Sequence, residues 1–130
     1  MSDKGKYQLY PPGYKLLRVL ILWLIHRQPL HGYGIAKEME HLPTGPWKPR
    51  TGAIYTILRR MDEDGLLSSE WEKRPGKKDR RIYQVTKKGE RILKQGLTLL
   101  KRRMKLFKEM VAYYDTYLTK NADTTKQRQD

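Results

Sequence analysis

Apolar residues fall in distinct stretches along this chain, and the spacing within each stretch predicts an element. From Tyr14 to Arg27 they run almost without a break, as Leu16, Leu17, Val19, Leu20, Ile21, Leu22, Trp23, Leu24 and Ile25. In a soluble protein this describes a helix covered on both faces, by its own domain on one side and by a partner on the other. Pro29 stops it, and His31, Gly32, Tyr33 and Gly34 lead into a short second helix whose Ile35, Met39 and Leu42 share one side. Pro43, Thr44, Gly45, Pro46 and Pro49 then enforce a non-helical connection. A third helix follows, with Ile54, Ile57, Leu58 and Met61 as its core stripe and Gly65 as its end.

The pattern next changes period. Leu66 to Lys73 and Arg81 to Thr86, carrying Leu67, Trp71, Ile82, Tyr83 and Val85, flank a turn of Pro75, Gly76, Lys77, Lys78 and Asp79, which predicts a β-hairpin with a basic tip. Thr86 is placed to cap a final helix running to about Leu118. Within it Leu93, Leu97, Leu100, Met104, Phe107, Val111, Tyr114 and Leu118 are separated by 4, 3, 4, 3, 4, 3 and 4, a heptad row suited to pairing two copies. Ile92, Leu99, Leu106 and Tyr113 widen that face, as expected of a helix packing against its own first helix and a partner's helices together.

The expected fold is mainly α with a small β-hairpin wing: a winged helix-turn-helix plus a long C-terminal dimerisation helix. Residues 1–13 read as a polar N-terminal arm, 14–86 as the DNA-binding domain, 87–118 as the dimerisation helix and 119–130 as a polar tail.

Charge narrows the choice of partner. Lys and Arg number 28 against 14 Asp and Glu, a net charge of +14 that draws polyanions. The apolar run from Leu16 to Ile25 is about half of a membrane span and is broken by Arg18, so a cytoplasmic protein with no membrane partner is expected. The absence of cysteine removes disulfides, thiolate metal clusters and thiol nucleophiles. His26, His31 and His41 lack ligand spacing, so no metal, no cofactor and no catalytic residues are assigned.

The chemistry that remains is nucleic-acid recognition. Opposite the core stripe of the third helix lie Gly52, Tyr55, Thr56 and Arg59, with Lys48, Arg50 and Thr51 at the helix start. Arg59 has the reach for a bidentate bond to guanine, Thr56 for a thymine methyl and Tyr55 for a phosphate oxygen, although Tyr55 is equally suited to close the core edge. Lys73, Arg74, Lys77, Lys78 and Arg80 around the wing suit phosphate neutralisation. Double-stranded DNA is the expected partner. An architectural or RNA-binding protein using the same basic surface without base readout, or a protein-interaction module meeting an acidic partner, is the alternative.

Four segments also resemble the PadR-like transcriptional regulators, over roughly residues 16–95. They are Pro29 to Tyr33; Trp47, Lys48 and Pro49 with Gly52, Ile54 and Tyr55; Leu58 through Leu67; and Tyr83, Val85, Thr86 and Gly89. The single long C-terminal helix looks like the shorter branch of that family. The resemblance implies a repressor that binds a palindromic operator as a homodimer. It also implies a small planar aromatic effector at the dimer centre, for which Trp23, Phe107 and Tyr114 are candidates; as plain residues, all three are first read as dimer core. Where the family usually has Ser and then often Pro before Gly52, this chain has Arg50 and Thr51. That departure is expected to move the helix cap to Thr51 and to let Arg50 add a phosphate contact.

Overall fold

The computed structural model describes residues 14–43 and 50–119. The expected arm over residues 1–13, Lys48 and the tail beyond Thr119 lie outside them. In chain order the elements are α1 (Tyr14–Arg27), β1 (Leu30–His31), α2 (Gly32–Glu40), α3 (Thr51–Glu63), β2 (Leu67–Glu72), β3 (Arg80–Val85) and α4 (Lys87–Tyr113), followed by a π-helical turn, Tyr114–Leu118. Two compact units divide the chain, Met1–Gly96 and Leu97–Asp130.

The first unit is a winged helix-turn-helix. Its core takes Leu17, Ile21, Leu22, Leu24 and Ile25 from α1, Ile35 and Met39 from α2, and Ile54, Ile57, Leu58 and Met61 from α3. In α2 and α3 these are residues of the stripes that the 3.6-residue period marks out, whereas α1, apolar almost all round, shows no such stripe in its sequence. Ile21, Leu22 and Leu58 have no exposed surface at all, and each such side chain contributes about 1.5–3 kcal/mol through burial. Leu16, on the other side of α1, remains 53% exposed.

The wing has three strands where the sequence predicts two. β1 pairs antiparallel with β3 through Leu30↔Tyr83 and His31↔Ile82, giving the order β1-β3-β2. Two residues between a proline and a helix carry no alternation, which is why β1 leaves no pattern in the sequence. β2 and β3 pair from Leu67↔Val85 to Glu72↔Arg80, so Arg80 belongs to a strand and not to the turn.

α3 hands over to β2 at Gly65, whose φ of +79° is the left-handed conformation that lets a helix end in a tight reversal. Thr86 then ties the start of α4 to this corner. Its hydroxyl donates to Gly65 O at 2.6 Å, its N–H donates to Leu66 O at 3.1 Å, and its side-chain oxygen accepts from Gly89 N at 3.0 Å, the expected helix cap.

Leu93, expected as the first position of the dimerisation row, is instead buried in the core of the first unit. In the second unit the rest of the row, Leu97, Leu100, Met104, Phe107, Val111, Tyr114 and Leu118, is between 36% and 58% exposed throughout. The expectation of a regular α-helix to Leu118 is corrected: the α geometry ends at Tyr113, and the last turn is a π-helix. The Thr119 hydroxyl donates to Tyr114 O at 3.2 Å, and the Tyr113 and Tyr117 rings lie 4.8 Å apart. A wider turn breaks the 4–3 rhythm, so Leu118 leaves the phase of the row above it.

Candidate nucleic-acid interface

Burying Ile54, Ile57, Leu58 and Met61 turns the opposite side of α3 outward. Arg50, Thr51, Gly52, Tyr55, Thr56 and Arg59 are all exposed there. The cap is not Thr51 as expected: Arg50 holds the cap position with extended backbone and no side-chain cap hydrogen bond, and Thr51 is the first helical residue. The φ of −68° and ψ of 147° at Arg50 stop the helix there, one residue earlier than sequence preference for a threonine cap suggests. The Thr56 hydroxyl donates to Gly52 O at 3.1 Å, which engages its proton and leaves the oxygen free to act as an acceptor.

Tyr55 closes the core edge, one of the two roles considered for it, and still reaches solvent. It is 42% exposed, and its ring lies so close over Gly32 that a Cβ built there would sit 2.3 Å from Tyr55 Cε1. The glycine that opens α2 thus makes the seat for an aromatic ring on α3.

At the wing, the basic residues divide by task. Lys73, Lys77 and Lys78 are exposed. Arg74 instead closes the turn, donating from Nε and Nη2 to Lys78 O at 3.1 and 2.8 Å. Arg80 pairs with Glu72 at 2.8 Å and brings Nη1 within 2.9 Å of His31 Nε2. Meanwhile His31 caps α2, its Nδ1 accepting from Gly34 N at 2.9 Å. Both ring nitrogens therefore face donors; a neutral ring can accept at one of them, and a protonated ring at neither. Burial, with the Arg80 cation next, holds the His31 pKa below its ordinary value.

A second polar cluster joins the wing to α3. Asp62, on the last turn of α3, accepts from the Ser69 hydroxyl at 2.6 Å and lies 3.6 Å from Arg81 Nη2. Arg81 Nε also donates to Ser69 Oγ at 2.9 Å, and its guanidinium sits 5.6 Å from the Trp71 ring centre. Tyr83 is buried beside this cluster. Burial pushes its phenol up, opposed by Arg81 and by Arg59, while Asp62 adds to the rise.

Comparison with known proteins gives this arrangement a family. The profile of the transcriptional regulator PadR-like family matches residues 21–95. The chain belongs to the PadR-like family of transcriptional regulators. Over 84 residues it is 32% identical to the transcriptional regulator YqjI of Escherichia coli, an alignment that takes in 65% of this chain and 39% of that protein; the chain thus spans about two fifths of the length of the curated relatives it matches. A PadR family transcription regulator from Clostridium difficile superimposes with a TM-score of 0.57 at 26% identity, covering 69% of this chain and 95% of the other. A PadR-like transcriptional regulator from Bacillus cereus shares the fold, with a TM-score of 0.64 at 22% identity over 74% and 91% of the two chains.

In this PadR-like chain the exposed α3 residues and the three wing lysines stand where sequence reasoning puts them. Arg74 and Arg80 have partners within the wing instead. Trp23 lies against the core of the first unit with the Arg27 guanidinium 4.8 Å above its ring, whereas Phe107 and Tyr114 belong to the exposed row of the second unit. Sequence reasoning missed the Asp62–Ser69–Arg81 cluster. Its signal was available in the period-2 pairing, which sets Ser69 and Trp71 on the same face as Arg81 and Tyr83. Among the described residues no helix is long and apolar enough to cross a membrane, and no three acidic or histidine side chains gather as a metal site would need.

Proposed function

We propose that this PadR-like chain is a sequence-specific repressor that acts as a homodimer on a palindromic operator, with its DNA-binding part in residues 14–86 and its dimerisation helix in residues 87–118. The observation that carries this reading is the exposed face of α3, on which Tyr55, Thr56 and Arg59 stand together with Arg50 and Thr51 at the helix start. Arg59 is assigned the base contact, Thr56 a thymine methyl and Tyr55 a phosphate. Lys73, Lys77 and Lys78 neutralise phosphates from the wing.

The exposed apolar row from Leu97 to Tyr114 supports pairing of two copies, because so long a stripe left in water is costly and its heptad spacing suits a second helix. On this reading Trp23, Phe107 and Tyr114 are dimer core, and a small planar aromatic compound that relieves repression would enter among them. The cytoplasm is the matching location.

Selection of binding sites from random duplexes, followed by footprinting, tests the assignment. It should return an inverted repeat whose half-sites are about one helical turn, ~34 Å, apart. Recovery of sequences with no common element would overturn base readout, and sedimentation of the pure protein as a monomer at micromolar concentration would overturn the pairing.

A further inference from the structure

Trp71 is 65% exposed on β2, the largest apolar side chain left open on the wing. Strand parity fixes which way it faces. Leu67, Ser69 and Trp71 of β2 pair with Val85, Tyr83 and Arg81 of β3, so all six share one face of the hairpin. That face is turned toward α3, since Ser69 and Arg81 both reach Asp62. Tyr83, on the same face, lies within the fields of both Arg81 and Arg59. Through Arg81, Trp71 therefore borders the Asp62 cluster, which joins the wing to the last turn of the helix assigned to base readout.

Its support is unusual for a surface ring. The Arg81 guanidinium lies 5.6 Å from the ring centre, within cation–π range, and is itself held by Asp62 and Ser69. With its charge answered by Asp62, Arg81 acts as a prop beneath the ring. An aromatic side chain held in this way loses little conformational freedom on binding. Beyond it toward the tip stand the exposed Lys73, Lys77 and Lys78, whose charge selects a polyanion as the surface that reaches this wing.

We propose that the Trp71 indole is a further DNA contact of this protein, an apolar one, packing on the deoxyribose rings of the backbone whose phosphates the wing lysines neutralise. The contact rests on the reading of the chain as a duplex-binding regulator. It adds affinity that does not come from counterion release, and so separates from the lysine contribution by its response to salt.

The test measures binding of the full chain to its selected operator duplex over a series of salt concentrations, for the wild type, Trp71→Ala and Trp71→Phe. Trp71→Ala should weaken binding about tenfold at every salt concentration, leaving the slope of log K against log salt unchanged. Trp71→Phe, which keeps a ring on the guanidinium, should recover binding to within about threefold of the wild type. The emission that Trp71→Phe removes should be open to acrylamide in the free protein and protected in the complex, a readout that does not depend on the stability of the alanine variant. Unchanged affinity in Trp71→Ala, a loss that appears only as a flatter salt slope, or an indole equally quenched with and without DNA would overturn the contact while leaving the regulator reading intact. A wild-type protein that binds no duplex would remove both.

Discussion

Gly89 is the position at which a single methyl group should do the most damage. A Cβ there would lie 2.1 Å from the Leu66 carbonyl oxygen and 3.0 Å from Val85 Cγ1. An ordinary C···O contact needs more than about 3.3 Å, so backbone must move by roughly 1 Å. The carbonyl that has to retreat accepts the Thr86 N–H, and Thr86 also caps α4 and donates to Gly65 O. Losing two of these three hydrogen bonds costs about 2 kcal/mol, and the strain of overpacking adds about 2 kcal/mol. Alanine's better helix propensity returns about 1 kcal/mol. The net for Gly89→Ala is a destabilisation of about 3 kcal/mol, equivalent to a fall in Tm of roughly 12 °C or more for a domain of this size. Urea denaturation at fixed protein concentration, with the m-value checked against the wild type, measures it. Gly52→Ala is the internal control, because among the described residues nothing lies within 4 Å of the new methyl group; it should be neutral or stabilising by up to about 1 kcal/mol. A loss below about 1 kcal/mol in Gly89→Ala would refute the close-approach argument.

Further expectations concern DNA binding and pH. Arg59→Ala should cost about 1–3 kcal/mol on the preferred operator and little on unrelated duplex, as read by competition binding; equal losses on both would remove its role in base readout. Lys77→Ala with Lys78→Ala should weaken all duplexes alike and reduce the salt slope by about 2, and a slope that stays the same would mean that neither lysine meets a phosphate. His31 should make stability depend on pH. Its folded pKa lies below the ordinary 6.5, so in the window below 6.5 the unfolded chain binds a proton that the folded ring resists. Its contribution is thus fully present above pH 6.5, falls as the pH drops, and stops changing once the folded ring is protonated too. His31→Asn keeps an N-cap acceptor for Gly34 and should flatten that part of the profile; an unchanged profile would place the dependence elsewhere.

The parts of the fold legible in the sequence are those with a period. Ile54, Ile57, Leu58 and Met61 announce both the buried side of α3 and, by exclusion, the open face bearing Tyr55, Thr56 and Arg59. The features that stayed hidden depend on partners far along the chain or on too few residues to make a pattern. Leu30 and His31 become a strand only because β3 lies beside them. Arg74 and Arg80 look like their lysine neighbours in sequence, yet a carbonyl across the turn and Glu72 across the ladder engage them. Asp62 reads as a carboxylate at the wrong end of a helix dipole, and its use becomes visible only when Ser69 and Arg81 are brought to it.

That carboxylate has a consequence for control. Asp62 joins the last turn of α3 to both strands of the hairpin, through Ser69 of β2 and Arg81 of β3, so that on the proposed reading, helix and wing of one copy form one block. On the proposed two-copy arrangement, a signal that loosens the grip on DNA has to change the span between blocks, which a duplex with a fixed helical repeat would register as a mismatch.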